Sequence, residues 1–424
     1  MTALRAVAPA AGLTLMAIAA VLYFSDHNLY LRLLSIYGFQ PYKYPFLDWE
    51  SMSSFVECWK HGINVYVYNP CDVGGRILTY SPLWPRAWFI PYGPVWRNII
   101  GLAMDIAFFL SLVWVLKPAN WREALVGVLA TTSTMVAYAV ERANVDVIVF
   151  MMIVGAGLLA SRRFAGRILS YSVIFFAGLL KVYPFVAMAI ALRERPRTFA
   201  LISLISAAVL IGFVVGFRSE IAELSRNVPR GNWASDSFGA SNLPDGLAAV
   251  LARGKAVDPW RSPVWVGSRV LLTACALAWA VWLSRNAALA RAMARLGAPD
   301  MIQFVFGSAL VAGCFFAGEN FEYRGVFLLP VVGGLLILRR QTDEDASRGR
   351  LGWLIAIIIA LMWEGVYRTV LYAISPGLWG GVLLIREGLW WWLAASLLAL
   401  LLIFAAQSDT GVAARQRFGA AHEA

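Results

Sequence analysis

Charge is scarce in this chain. Asp, Glu, Lys and Arg make up 14% of its 424 residues, where a soluble domain carries about 25%, and the mean hydropathy is +0.67. That balance excludes a water-soluble fold and predicts a polytopic membrane protein. Histidine is rarer still, with three residues, and the four cysteines show no zinc-site spacing. No glycine-rich phosphate loop joins a strand to a helix, which argues against a nucleotide-driven pump. Heptads, short internal repeats and long low-complexity tracts are absent from the sequence. A convincing signal-cleavage site is lacking too, so Arg5 and the apolar run 6–24 read as a retained first span. Basic residues do exceed acidic ones, giving a net charge of +11. They are spread over short loops, so the excess sets topology rather than a nucleic-acid surface.

What is present is a series of apolar runs: 6–24, 95–116, 124–140, 145–160, 168–192, 199–217, 264–283, 302–316, 326–338, 351–366 and 389–406. The run 168–192 is interrupted by Lys181 and Pro184. Taken as one span, it would scatter the arginine clusters over both faces. Taken as two half-helices meeting near Lys181–Pro184, it gathers them on one face, the cytoplasm by the positive-inside rule. Pro184 helps end the first half because it removes a backbone donor and clashes with the preceding turn. The expectation is about 11–12 crossings in one integrated membrane domain spanning 1–424, with both termini cytoplasmic. The 18 Trp and 15 Tyr suit interfacial belts. Three segments fall outside the spans: a long extracytoplasmic loop 25–94, a Gly/Asn/Ser-rich extracytoplasmic loop 218–263 resembling a lid, and a polar cytoplasmic tail 407–424.

The polar interval 40–92 carries its own helix signal. Trp49, Met52, Phe55, Val56 and Trp59 recur at helical spacing behind Asp48. Such a helix is expected to lie along the membrane surface with its aromatics toward lipid. Asp48 has two readings. As an N-cap it needs only an acceptor oxygen; as a general base it must take a proton, which an amide cannot do. Cys58 and Cys71 sit in the same interval, either as a disulfide or as two free thiols. Cys275 and Cys314 lie in apolar runs and read as buried small hydrophobes. His61 ends the helical pattern and reads as a C-terminal dipole partner.

On the expected outer face, charged residues cluster at three helix junctions: Glu141, Arg142 and Asp146; Lys181; and Glu319, Glu322 and Arg324. Each could be an ion pair that fixes packing, such as Glu322 with Arg142. Together they place a cation at each junction, which suits an anion site such as phosphate.

In this order the motifs resemble the GT-C polyprenyl-phosphate-dependent glycosyltransferases, most closely glycosyltransferase family 87, which contains bacterial membrane mannosyltransferases. The residues are F-L-D-W-E-S around Asp48, G-I-N-V-Y from Gly62 to Tyr66, Y-S-P-L from Tyr80 to Leu83, R-A-N-V-D from Arg142 to Asp146, K-V-Y-P from Lys181 to Pro184 and F-E-Y-R from Phe321 to Arg324. Ala143 stands where the family often has glycine, Ser81 replaces the first proline of a pair, and Glu322 replaces aspartate. The resemblance implies an all-α GT-C-like bundle in the inner membrane, with its active site on the extracytoplasmic side. It implies transfer of a sugar, mannose favoured, from a polyprenyl-phosphate donor to a glycolipid or polysaccharide hydroxyl with inversion. The donor is a substrate, and no cofactor is implied. Asp48 takes the role of base. Arg142, Asn144, Lys181, Tyr183 and Arg324 hold the donor, with Glu50, Tyr80 and Glu322 in secondary roles. The reading from a different class is a secondary transporter or lipid flippase with its site at the broken helix around Lys181–Pro184.

Overall fold

The computed structural model describes residues 2–40, 42–228, 236–251 and 262–420. They are mostly helical, and the described strands are two three-residue segments. Among the described residues six helices are long and apolar enough to cross a membrane: Ala3–Ser25, Pro94–Val115, Pro196–Gly216, Pro263–Ser284, Ala298–Ala317 and Pro376–Gln407. Two bent pairs, Trp121–Thr131 with Thr134–Glu141 and Asp345–Met362 with Glu364–Ile374, pass the same test together. The chain is an all-α polytopic membrane protein. Five of the six long helices carry proline at their first or second position. There the missing N–H costs nothing and the fixed φ already suits a helix.

The count by length and composition is thus six, or eight with the bent pairs, where the apolar runs predict about 11–12. The difference lies in short elements. The run 145–160 is a helix of 16 residues. The run 168–192 is a 17-residue helix, Phe164–Leu180, followed by a 3-10 helix, Tyr183–Arg193. Lys181 between them is extended, at φ −156°, so the break falls where Pro184 placed it.

The chain divides into two compact units. One holds Met1–Lys43, Phe109–Ala139 and Arg230–Phe404. Its core packs helix Ala298–Ala317 on Leu328–Gln341, burying Phe304, Phe306, Leu310, Phe315, Val331 and Leu335. The strands Ser237–Gly239 and Glu319–Phe321 pair antiparallel, with Phe238 opposite Asn320. The turn after helix His27–Ile36 lies on the start of helix Glu364–Ile374 at backbone contact. A Cβ on Gly38 would sit 2.2 Å from the Gly365 carbonyl oxygen, and φ at Gly38 is +85°, so only glycine fits on both counts.

The other unit holds Tyr44–Phe108, Val140–Pro229 and Ala405–Ala424. It contains helix Leu47–Lys60, ten of whose residues are buried. The helix is where the apolar spacing predicts it, but its apolar face does not look outward. Trp49, Met52, Phe55 and Val56 are each at most 4% exposed. The surface-lying helix with aromatics toward lipid is therefore corrected to a buried helix. Ser51, Ser53 and Ser54 are buried as well, because their hydroxyls bond to Asp72 and to the helix carbonyls of Glu50 and Ser51. His61 caps the helix C-terminus, with Nδ1 2.9 Å from the Glu57 carbonyl. Of the lid-like loop 218–263, residues 229–235 and 252–261 lie outside the described residues. The remainder forms helix Arg218–Asn227 in this unit and, in the first unit, strand Ser237–Gly239 and helix Asn242–Leu251. The polar tail forms helix Asp409–Ala420.

Candidate functional site

Asp48 is the second residue of helix Leu47–Lys60, and the N-cap is Phe46, with φ +66° and no side-chain cap bond. The cap reading of Asp48 therefore fails. Backbone bonds fix the helix entry instead. Phe46 N–H donates to the Glu141 carbonyl at 2.7 Å, and Asp48 N–H donates to the Arg142 carbonyl at 3.1 Å. The Asp48 carboxylate is thereby released for other contacts. Its Oδ2 accepts from Asn144 Nδ2 at 2.6 Å and its Oδ1 from Arg76 Nη1 at 3.4 Å. Arg142 Nη1 stands 4.0 Å from Oδ1. The Asp48 side chain keeps 21% exposure, enough for an incoming group to reach it.

Each neighbour is held by its own local chemistry. Asn144 is the N-cap of helix Val145–Ala160, and its Oδ1 accepts from Asp146 N–H at 3.0 Å, a favoured cap bond that turns its amide nitrogen toward Asp48. Ala143, just before it, is fully buried at φ +43°. This left-handed turn favours glycine. Arg142 Nε lies 3.1 Å from Glu141 Oε2. Asp146, fully buried, pairs with Lys181 Nζ at 2.5 Å and accepts from the Tyr183 hydroxyl at 2.6 Å. Lys181 Nζ also lies 5.0 Å from the Tyr80 ring centroid, within cation–π range.

The sequence reading missed Arg76 and Asp72. Arg76 Nε and Nη2 donate to the two oxygens of Asp72 at 3.1 and 2.9 Å, and Nη2 also donates to the Leu47 carbonyl at 3.0 Å. Burial alone would push the Asp72 carboxyl up, but the bonds from Arg76 and Ser51 outweigh it and hold it below its ordinary range. The neighbouring Cys71 forms a disulfide with Cys58, which resolves the choice between bridge and free thiols. The bridge ties the loop carrying Asp72 and Arg76 to helix Leu47–Lys60. The signal in the sequence was the Cys71–Asp72 dipeptide with Arg76 four residues on. Replacing both cysteines by serine should lower stability by about 2–4 kcal/mol, as expected for a loop of this size. It should also open 62–78 to limited proteolysis. A double variant with unchanged melting and cleavage would show that the bridge does not hold the loop.

Glu50 is buried, with Oε2 3.6 Å from Arg97 Nη1. It and burial push the Tyr44 hydroxyl up to about 12, burial being the larger cause. Glu322 and Arg324 belong to the first unit. There Arg324 bonds to Asn320, and Glu322 lies 3.6 Å from Arg368 and 3.9 Å from Arg386. These arginines join Glu364 and Glu387, with Arg386 Nη1 2.9 Å from Glu364 Oε1 and Nε 2.9 Å from Glu387 Oε1. Four of these five are nearly inaccessible to solvent, with Arg368 half-buried at the edge, and the sequence reading identified only Glu322 from the cluster. Among the described residues no group of three or more His, Cys, Asp or Glu side chains is arranged to hold a metal ion.

The second unit therefore brings together Asp48, Arg142 and Asn144, and Asn144 caps the helix whose Asp146 pairs with Lys181 and Tyr183, with Tyr80 against Lys181. The site is not a bare anion pocket: Arg76, Arg142 and Lys181 already face Asp72, Glu141 and Asp146. Chemically it offers a partly exposed carboxylate oriented by an amide and flanked by two guanidiniums. Compared with known proteins, the chain matches no family model, no curated protein and no solved structure.

Proposed function

We propose that the chain is a membrane glycosyltransferase of GT-C type that moves a sugar from a polyprenyl phosphate to a hydroxyl acceptor. One observation carries this reading. Asp48 stands in the first turn of a helix without capping it, and its carboxylate is held partly exposed beside Asn144, Arg76 and Arg142. A phosphate leaving group needs no acid, so one carboxylate suffices to take the acceptor proton, unlike the paired acids of glycosidases. Arg142 and Lys181 meet the donor phosphate by sharing themselves between it and their present carboxylates, and Tyr183 and Tyr80 flank it. The bundle in this reading has about 11–12 crossings, some short, and the site faces away from the arginine-rich side. Mannose is the favoured sugar and a glycolipid or polysaccharide the acceptor.

The second reading, a transporter or flippase, is favoured by the break at Lys181 and its buried pair with Asp146. The deciding experiment uses purified protein in nanodiscs with a panel of radiolabelled polyprenyl-phosphate sugars and a membrane-lipid extract as acceptor. Label in a new lipid or polysaccharide product supports transfer. No product from any donor, with labelled lipid instead crossing the bilayer of proteoliposomes, sinks the enzyme reading.

A further inference from the structure

A groove of about 990 Å³ runs between helices Trp121–Thr131 and Asp345–Met362, with helix Leu328–Gln341 as its floor. All three belong to the first unit. Both walls are the first halves of bent pairs that together qualify as membrane spans, so the groove has apolar, membrane-type sides. Arg122, Val126 and Leu129 line one wall, and Gly352, Ala356 and Ile359 the other. In both sets the spacing is i, i+4, i+7, a single helix face. The small residues on the second wall leave the groove room, and the Arg339 guanidinium lies across Gly352.

The polar end differs from the rest. Arg122 and Arg339 line it, both exposed, and among the described residues neither has a carboxylate partner. The one carboxylate in the lining, Glu123, is engaged by Arg340. Two unpaired guanidiniums thus stand at one end of an apolar trough. Trp121 and Trp353 flank that end at 65% and 71% exposure, as interfacial aromatics do. The start of helix Trp121–Thr131 adds its positive dipole end.

We propose that this groove binds an anionic phospholipid, with its phosphate on Arg122 and Arg339 and an acyl chain along Val126, Leu129, Ala356 and Ile359. Guanidiniums suit phosphate by their planar fork, and a basic end on an apolar inter-helix trough suits a charged headgroup with its tail. The proposal is independent of the Asp48 site and of the reaction assigned to it.

The test is native mass spectrometry of the full chain in detergent, titrated with phosphatidylglycerol, with phosphatidylcholine, and with glycerol phosphate as a headgroup lacking tails. Wild type should retain phosphatidylglycerol in preference to phosphatidylcholine and should not retain glycerol phosphate. Arg122→Ala with Arg339→Ala should weaken phosphatidylglycerol binding about tenfold or more. Both side chains are exposed and unpaired, so the fold should survive. Arg162→Ala with Arg163→Ala removes the same charge from another exposed site and should leave binding unchanged. Ala356→Trp should fill the trough and displace the lipid with both arginines intact. Equal binding by wild type and the Arg122/Arg339 variant overturns the proposal, as does an equal loss in the Arg162/Arg163 control. Retention of glycerol phosphate as strongly as the lipid would make this a soluble-phosphate site and overturn the lipid assignment.

Discussion

Asp48→Asn should lose sugar transfer by roughly a hundredfold to ten-thousandfold, the range that a positioned base supplies, and should melt as wild type does. The two halves of this expectation rest on different contacts. Asparagine keeps an oxygen that can accept the 2.6 Å bond from Asn144, and Arg76 stays anchored on Asp72 and the Leu47 carbonyl. The helix entry is set by backbone bonds to Glu141 and Arg142, which the substitution does not touch. Since Phe46 and not Asp48 is the N-cap, no cap is lost. What the amide cannot do is take the acceptor proton. The measurement pairs transfer rate with thermal midpoint on the same preparation. A variant that transfers at the wild-type rate would move the base away from Asp48. A variant that loses both rate and fold would show the carboxylate to be structural.

Some of this was legible in the sequence because its causes are local. The break after Leu180 follows from Pro184, and helix Leu47–Lys60 follows from the spacing of Trp49, Met52, Phe55 and Val56. Which way that helix faces was not legible, since a stripe of aromatics suits lipid and a protein interior equally. Of the two readings of Asp48, the cap fails because a cap depends on where the chain turns, and it turns at Phe46 through a left-handed conformation that its side chain does not advertise. Arg76 was missed because its link to Asp48 depends on a loop closed by the Cys58–Cys71 bridge. The cluster around Arg386 was beyond reach for a further reason. Its members come from three segments, at Glu322, at Glu364 and Arg368, and at Arg386 and Glu387, and only tertiary packing brings them together.

That cluster carries the largest stability effect expected in the chain. Arg386→Met should cost on the order of 3–5 kcal/mol, the penalty for stranding buried charge. Arg386 and its carboxylate partners Glu364 and Glu387 have side chains at most 2% exposed. Arg386 serves Glu364, Glu387 and the Ser237 carbonyl, with Glu322 at 3.9 Å. Removing it leaves Glu387 without its cation, and leaves Glu364 and Glu322 with Arg368 alone, at 3.3 and 3.6 Å. The Ser237 bond matters separately, because that residue opens the strand paired with Glu319–Phe321, so its loss loosens the segment leading into Glu322. Methionine fills much of the space with an apolar chain, so the loss reports charge rather than a cavity. Adding Glu387→Gln should recover part of it, since the double variant removes one charge of each sign and restores the balance among Glu322, Glu364 and Arg368. Thermal midpoints of wild type, the single variant and the double variant in one detergent decide the matter. If Arg386→Met melts with wild type, the cluster contributes no stability through its charges. If the double variant melts lower than the single, the pairing of Arg386 with Glu387 is not what the single variant breaks.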